Sequence, residues 1–506
     1  WKPGGPAYSL AVPLENRNVR VSFTVEPLRL PEGVFPSPAE CDWLRITFDL
    51  VGMGKGRNLE TGLWIYSHQD DWRSSLRIFA EKYSDYFQPV RRVSSAEGFL
   101  SRIGPAGCTN SALAGLQRRE VKLVKIDWNY YRSGQWIPSQ ALRFDDFTWD
   151  SNTLPQHRDV SVRLVRSCIE NLVQYKLRTV LYSAFNSYCL QEIASERFAD
   201  DIALDEQDRP MACAENGVLM HASADSPFGR EMIEQQRRMI DLYPQAEGFF
   251  FDDWGVAGID FAHDDNLTVI HNRAAYSLSA NRSGVGRLLV DMVNQQKKLA
   301  FAAPPLSIAD CRGIDVLCLG GRDLENLGRI AFMGLVRPIV ADLGPEIELS
   351  VERTEEILKE ELLWGVIPSE RELSFDSQLA RAYRPLFLNL KGREWLLEPH
   401  ALTLPQGLKG QVFLIPPESR GNDRDVVVCM IRPLLRLADD VQRGGERVRL
   451  GLPDAEEYVR ATFTPASRNP WPIPLRIERR GEGKEQELVL DLPPFGPAAL
   501  LRLSRR

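Results

Sequence analysis

The sequence predicts an α/β protein: a (β/α)8 TIM barrel flanked by an N-terminal β-sandwich-like domain and a C-terminal antiparallel β-sandwich. Three observations predict it. Residues 95–385 alternate strand and helix signals often enough for eight βα units. The stretches before residue 90 and after residue 395 are strand-rich and punctuated by Pro and Gly. No GxGxxG or GxxxxGK turn follows any candidate strand, which argues against a doubly wound nucleotide-binding sheet. At 506 residues the chain is too long for one ordinary core. The expected division is 1–90 (N-terminal β-rich domain), 91–394 (barrel) and 395–506 (C-terminal β-sandwich).

In chain order, residues 19–25 (Val-Arg-Val-Ser-Phe-Thr-Val) and 43–50 (Trp-Leu-Arg-Ile-Thr-Phe-Asp-Leu) alternate apolar and polar side chains, the strand period. Residues 70–87 place Trp72, Leu76, Phe79, Tyr83 and Phe87 at helical spacing and read as a connector into the barrel. The candidate barrel strands are 98–103, 121–126, 178–185, 248–251, 299–303, 314–319, 337–341 and a weak one at 362–367. Helical patterns such as 160–175 and 285–298 lie between most of them. Beyond 395, residues 411–415, 425–431, 447–450 and 487–492 read as short strands.

The stretch around which the middle is organised is Glu247-Gly248-Phe249-Phe250-Phe251-Asp252-Asp253-Trp254. Three consecutive phenylalanines fit a strand buried on both faces. The abrupt change to two acids and a tryptophan is the form taken by a barrel strand that delivers carboxylates to the C-terminal face. Residues 228–243 read as the amphipathic helix leading into it, with Asp225 or Ser226 as its N-cap. Other strand ends are loaded in the same way, with Asp127-Trp128, Tyr182, Arg322-Asp323 and Asp342.

Composition narrows the partners. A net charge of −7 gives no electrostatic footprint for nucleic acid or an anionic membrane. No apolar run reaches spanning length. The eight cysteines share no CxxC spacing, so neither a zinc knuckle nor a disulfide framework is expected. A reducing, cytoplasmic location follows. The chain begins at Trp1 rather than Met, which leaves secretion open.

Strand-end carboxylates among aromatic residues suit the cleavage of a glycosidic bond. That reaction needs one carboxyl group to protonate the leaving oxygen and a second to attack the anomeric carbon or activate water. It also needs aromatic faces against the sugar ring and polar groups for its hydroxyls. The predicted strand ends supply Trp128, Tyr130, Tyr131, Trp136, Tyr182 and Trp254 together with Asp127, Asp252, Asp253 and Asp323. The layout, with an Asp closing an aromatic fourth strand, resembles the retaining α-glycosidases of glycoside hydrolase clan D, the α-galactosidases of families 27 and 36. The resemblance implies Asp252 as nucleophile and Asp323, after the sixth strand, as acid/base. It leaves Asp127, Trp128, Tyr182, His221, Asp253, Trp254 and Arg322 to bind substrate. Two departures stand. Those families carry Lys two residues before the nucleophile, where this chain has Phe250, and a Lys-x-Asp occurs instead at Lys125-Ile126-Asp127. Cys311 with Gly320-Gly321-Arg322-Asp323 also resembles a family 36 run from strand five. On that alignment Asp323 would bind substrate and Asp342 could be the acid. Asp253 is the alternative to Asp252.

The cluster Asp260, His263, Asp264 and Asp265 lacks the Gly and Glu positions of an EF-hand, so no metal and no other cofactor is expected. No Gly-x-Ser-x-Gly elbow appears. The expected partner is an oligosaccharide or glycoside substrate, and a homo-oligomer is a possible assembly. Two rivals remain: a non-catalytic carbohydrate-binding relative, and a metal-dependent barrel hydrolase or lyase using the Asp/His cluster.

Overall fold

A computed structural model describes residues 7–11, 19–27, 42–50, 64–68, 72–91, 98–127, 129–149, 159–183, 188–213, 216–252, 258–266, 268–303, 311–320, 327–342, 349–415, 424–439, 443–481 and 486–505. Seven parallel strands form the central sheet in sequence order: Phe99–Ile103, Val121–Ile126, Arg178–Ser183, Gly248–Phe251, Leu299–Ala302, Val316–Gly320 and Ile339–Asp342. Parallel strands need long crossovers, and the intervening helices supply most of them. Strand eight is minimal. Ile367 bridges Val340 on one side and Ser369 bridges Leu100 on the other, which closes the barrel. Pro368 between them has no N–H to donate to either neighbour. The sequence places this strand at 362–367. Of those residues, 362–364 finish the helix Val351–Trp364, Gly365 turns (φ 68°), and Ile367 alone bridges a barrel strand. A Cβ at Gly365 would lie 2.7 Å from Arg393 Nε and 2.9 Å from Phe413 Cε1, so both φ and space require glycine.

The fourth strand is central. Phe249, Phe250 and Phe251 are buried, paired to Arg178–Ser183 on one side and Leu299–Ala302 on the other. The helix before it, Pro227–Leu242, begins at Ser226, whose Oγ accepts from the Gly229 amide at 3.0 Å, with Pro227 at its first position. Phe228, Met232, Met239 and Ile240 form its buried face. Two short antiparallel sheets interrupt the loops after strands three and four. One comprises Tyr188–Leu190, Gly217–Leu219 and Ala212–Cys213; the other comprises Ile259–Asp260, Arg273–Ser277 and Thr268–Ile270. Ala203, Leu219, Tyr276 and Leu278 form a small core of their own there.

Antiparallel sheets flank the barrel. Ala7–Ala11 pairs with Trp64–His68, and Val19–Pro27 with Asp42–Leu50. After the barrel, Glu394–Trp395, Lys409–Ile415, Asp425–Ile431, Ala498–Arg505, Tyr458–Pro465 and Ile473–Leu475 form a six-stranded sheet, and Arg447–Gly451, Glu487–Asp491 and Glu478–Arg480 a three-stranded one. Trp395 joins this sheet to the barrel helices, its ring 5.6 Å from Phe332, 5.9 Å from Trp364 and 5.4 Å from Phe413. Among the described residues no helix is long and apolar enough to cross a membrane. One pair departs from the expectation of reduced cysteines: Cys108 and Cys168 are disulfide-bonded, with Cα atoms 5.3 Å apart.

Two carboxyl groups support the closing turn. Glu361 and Glu372 are fully buried, and the Glu372 side chain accepts from the Ser369 amide at 2.6 Å and hydroxyl at 2.7 Å. Both Glu361 oxygens and Oε1 of Glu372 find no donor. Burial, reinforced by the neighbouring carboxyl, pushes Glu361 well above the ordinary value, and burial moves Glu372 up to about 7. A proton held between them supplies the missing donor. Raised carboxyl values contribute stability that is complete below the unfolded value and is lost as pH rises through the folded one. Thermal denaturation should therefore show the melting temperature falling from pH 5 toward pH 8. Glu361→Gln, which carries an amide donor without a titrating proton, should flatten that slope and raise the melting temperature at pH 8 by a few degrees.

Candidate active site at the barrel mouth

Because the strands are parallel, the residues that close them gather at one end of the barrel. Lys125 and Asp127, two apart, share the inward side of strand two. Lys125 is 1% exposed, and its Nζ lies 2.6 Å from Asp342 Oδ2, at the end of strand seven, and 3.6 Å from Asp127 Oδ1. Its ammonium stands 3.8 Å from the centre of the Phe250 ring and 5.4 Å from that of Tyr182. Arg102, from strand one, donates through Nε to Asp127 Oδ2 at 2.6 Å and lies 3.7 Å from Asp342 Oδ1. Asp252 closes strand four with its amide 3.4 Å from the Ser183 carbonyl, and its charge acts on both Lys125 and Arg102.

Burial opposes the charge on Lys125, but Asp342 and Asp127 raise its pKa above the usual lysine value. Burial likewise opposes ionisation of Asp342, but Lys125 and Arg102 hold its carboxyl below the ordinary value. Asp342 is thus kept as an anion, which does not fit the role of proton donor considered for it from the sequence. Burial, with Asp342 beside it, raises the Cys318 thiol well above its usual value, so it is no nucleophile. A cavity of about 260 Å3 opens beside this cluster, lined by Ser101, Arg102, Asp127, Asp342, Glu370 and Arg371 among others. Asp127 is 3% exposed, and among the described residues its Oδ1 finds no hydrogen-bond donor.

Of the residues singled out from the sequence, Asp127, Tyr182 and Asp252 lie at this mouth, and Tyr182 stacks on Tyr130 at 5.3 Å. Trp136 is buried in the core. Trp128, Asp253, Trp254, Arg322 and Asp323 lie outside the described residues. His221 sits in the insert, its ring parallel to His263 at 4.2 Å and edge-on to Tyr276 at 4.3 Å. The acids near it serve local turns. Asp264 accepts from the Asn266 amide, and Asp265 from the amides of Thr268 and Ser277. His221, Asp260 and His263 offer ligand atoms within 4.8 Å of one another. The imidazole planes are 8° from parallel, so one ion cannot lie in the plane of both rings as placed. Sequence reasoning missed Arg102 and the pairing of Lys125 with Asp342. The available signal was a cation inside an otherwise apolar strand, at Ser101-Arg102-Ile103 and Val124-Lys125-Ile126.

The architecture is that of a (β/α)8 barrel with flanking antiparallel β-sheets, a fold it shares with carbohydrate-active enzymes. A Paenibacillus sp. cycloisomaltooligosaccharide glucanotransferase complexed with cycloisomaltoheptaose superimposes with TM-score 0.55 at 8% identity, covering 99% of this chain and 98% of that one. The family 36 α-galactosidase of Geobacillus stearothermophilus gives TM-score 0.51 at 11% identity, over 88% of this chain and 61% of the other. A variant of the same enzyme in complex with stachyose gives 0.52 at 10% identity, with the same coverage. No family model matches the chain, and no curated protein matches its sequence.

The charge cluster makes a direct prediction. Lys125→Met removes the buried cation that balances Asp342 and should cost about 3–5 kcal/mol at pH 7 by urea denaturation. Asp342→Asn in the same background should restore part of it. Additive losses in the double variant would count against the pairing.

Proposed function

We propose that the protein is a glycoside hydrolase that cleaves an α-glycosidic bond with retention, resembling the α-galactosidases. The observation that carries this reading is the mouth itself. There, Asp127 lines a cavity with further charge, its buried Oδ1 accepts no hydrogen bond from a described residue although Lys125 Nζ stands 3.6 Å away, and a separate carboxylate, Asp252, closes the aromatic fourth strand. A sugar hydroxyl is a donor suited to Asp127. The stachyose complex of the fold neighbour supports a saccharide as the substrate class.

In this reading the Asp252 carboxylate attacks the anomeric carbon as the glycosidic C–O bond breaks, and Asp323 gives its proton to the departing oxygen. Asp323 then takes a proton from water, which attacks the same carbon and releases Asp252, so two inversions give net retention. Lys125 and Arg102 favour an ionised Asp252, as a nucleophile requires. Asp127, Trp128, Tyr182, Asp253, Trp254 and Arg322 bind the sugar. His221 is omitted, because its ring packs within the insert. The steps use no metal or organic cofactor. Residues 1–90, 91–394 and 395–506 are taken as the three structural units, with the middle one catalytic.

A screen of p-nitrophenyl α- and β-glycosides, the α-galactoside first, tests the reading through nitrophenol release. Asp252→Ala should lose several orders of magnitude in turnover, and azide or formate should restore part of it with the anion attached in inverted configuration. Rescue of Asp253→Ala instead would move the nucleophile by one residue. On a substrate with a poor leaving group, the pH–rate curve should be a bell whose basic limb disappears in Asp323→Asn. A bell left intact would assign the acid elsewhere. Binding of saccharides without turnover would favour the non-catalytic carbohydrate-binding reading.

A further inference from the structure

We infer that His263 is a proton-held clamp. As an imidazolium it ties the loop after strand three to the loop after strand four, and loss of its proton releases the insert through which the chain continues beyond Asp252. The hydrogen bonds set its protonation state. Nδ1 lies 2.6 Å from Asp260 Oδ2 and Nε2 lies 2.7 Å from the Asp200 carbonyl oxygen. A neutral imidazole has one N–H, so one of these contacts would set a lone pair against an acceptor; only the doubly protonated ring satisfies both. Asp260 is fully buried, and its other oxygen accepts from the amides of Leu204 at 3.0 Å and Ala262 at 2.9 Å, which fixes the carboxyl group with Oδ2 toward the ring.

His221 completes the device. Its ring lies parallel to that of His263, 4.2 Å away, and its buried Nδ1 has no hydrogen-bond partner among the described residues. A cation over a neutral π face is attractive, whereas two imidazolium rings would repel. Burial and then His263 push His221 down to about 4, while Asp260 outweighs burial and raises His263 above the ordinary imidazole value. The other charged or titratable groups facing the stack are Asp201, which accepts from the Phe228 amide, the neighbouring Asp200, Arg230 near Asp201, and Tyr276 against His221. The charged-over-neutral stack is therefore the populated state from about pH 4 upward. It is complete below the ordinary imidazole range with respect to His263 and is lost as pH rises through that ring's raised value. The clamp spans residues 200–263, and Gly258, which begins the described chain after Asp252, accepts from the Leu278 amide within the same insert.

The inference stands apart from the reaction assigned to Asp252, and its test needs no substrate. The 506-residue chain, labelled with 15N-histidine at its six histidines, should show at pH 7 one ring with both nitrogens protonated, absent in His263→Gln. It should also show one ring neutral at pH 5.5, absent in His221→Phe. Hydrogen exchange over residues 199–221 and 258–278, corrected for intrinsic rates, should rise about tenfold or more as the His263 proton is lost. In His263→Gln it should be fast at every pH. His271→Gln, at an exposed histidine, should leave the wild-type profile. A singly protonated His263 at pH 7, or exchange that ignores its titration, would overturn the clamp. So would micromolar Zn2+ shifting both rings together, which would make the cluster a metal site.

Discussion

The structure depends on an ionised lysine inside a barrel. At 1% exposure, Lys125 could not keep its charge unaided, since desolvation alone would neutralise it. Asp342 at 2.6 Å and Asp127 at 3.6 Å make the charge tolerable, and Arg102 neutralises what those acids would otherwise leave uncompensated. Each partner comes from a different strand, so the cluster exists only when strands one, two and seven are in register around a closed ring. The short eighth strand, bridged at Ile367 and Ser369, provides that closure. The site's electrostatics and the barrel's integrity are therefore one problem.

The same logic recurs away from the mouth. At the turn into strand eight, Glu361 and Glu372 are buried beside one another with carboxyl oxygens that accept no hydrogen bond, and the deficit is met by a proton. In the insert, Asp260 is buried and the compensating charge sits on His263. These three buried acid clusters thus take three counter-charges: a lysine with an arginine, a shared proton, and an imidazolium. The first is indifferent to pH across the neutral range, while the second and third are not. The barrel mouth is thereby held constant while the turn into strand eight and the insert beyond strand four respond to protons.

Much of this architecture was legible in the sequence, because it is written in short periods. The Phe249–Phe251 run marked the central strand, Ser226 was one of two caps foreseen for the helix before it, alternation located Val19–Pro27 and Asp42–Leu50, and β-rich composition located four of the strands after the barrel. Tyr458–Pro465 and Ala498–Arg505 went unrecognised, and so did the insert strands of two to five residues. The insert strands are too short for a period to show, and the last strand follows a Pro-rich stretch that read as a tail.

For the site, the sequence by itself determined which carboxylates end strands: Asp127, Asp252 and Asp342 follow from hydrophobic runs that stop on an acid. Only the tertiary structure decided their states. Lys125 and Asp342 are 217 residues apart, and His263 and Asp200 are 63 apart, so no local pattern links them. Asp342, a candidate acid by position, is an anion because a lysine from the second strand reaches it. His221, a candidate ligand by position, is a neutral ring under a charged one. A side chain's place along a strand is set by its neighbours in sequence, whereas its charge is set by neighbours that only closure of the barrel brings within a few ångströms.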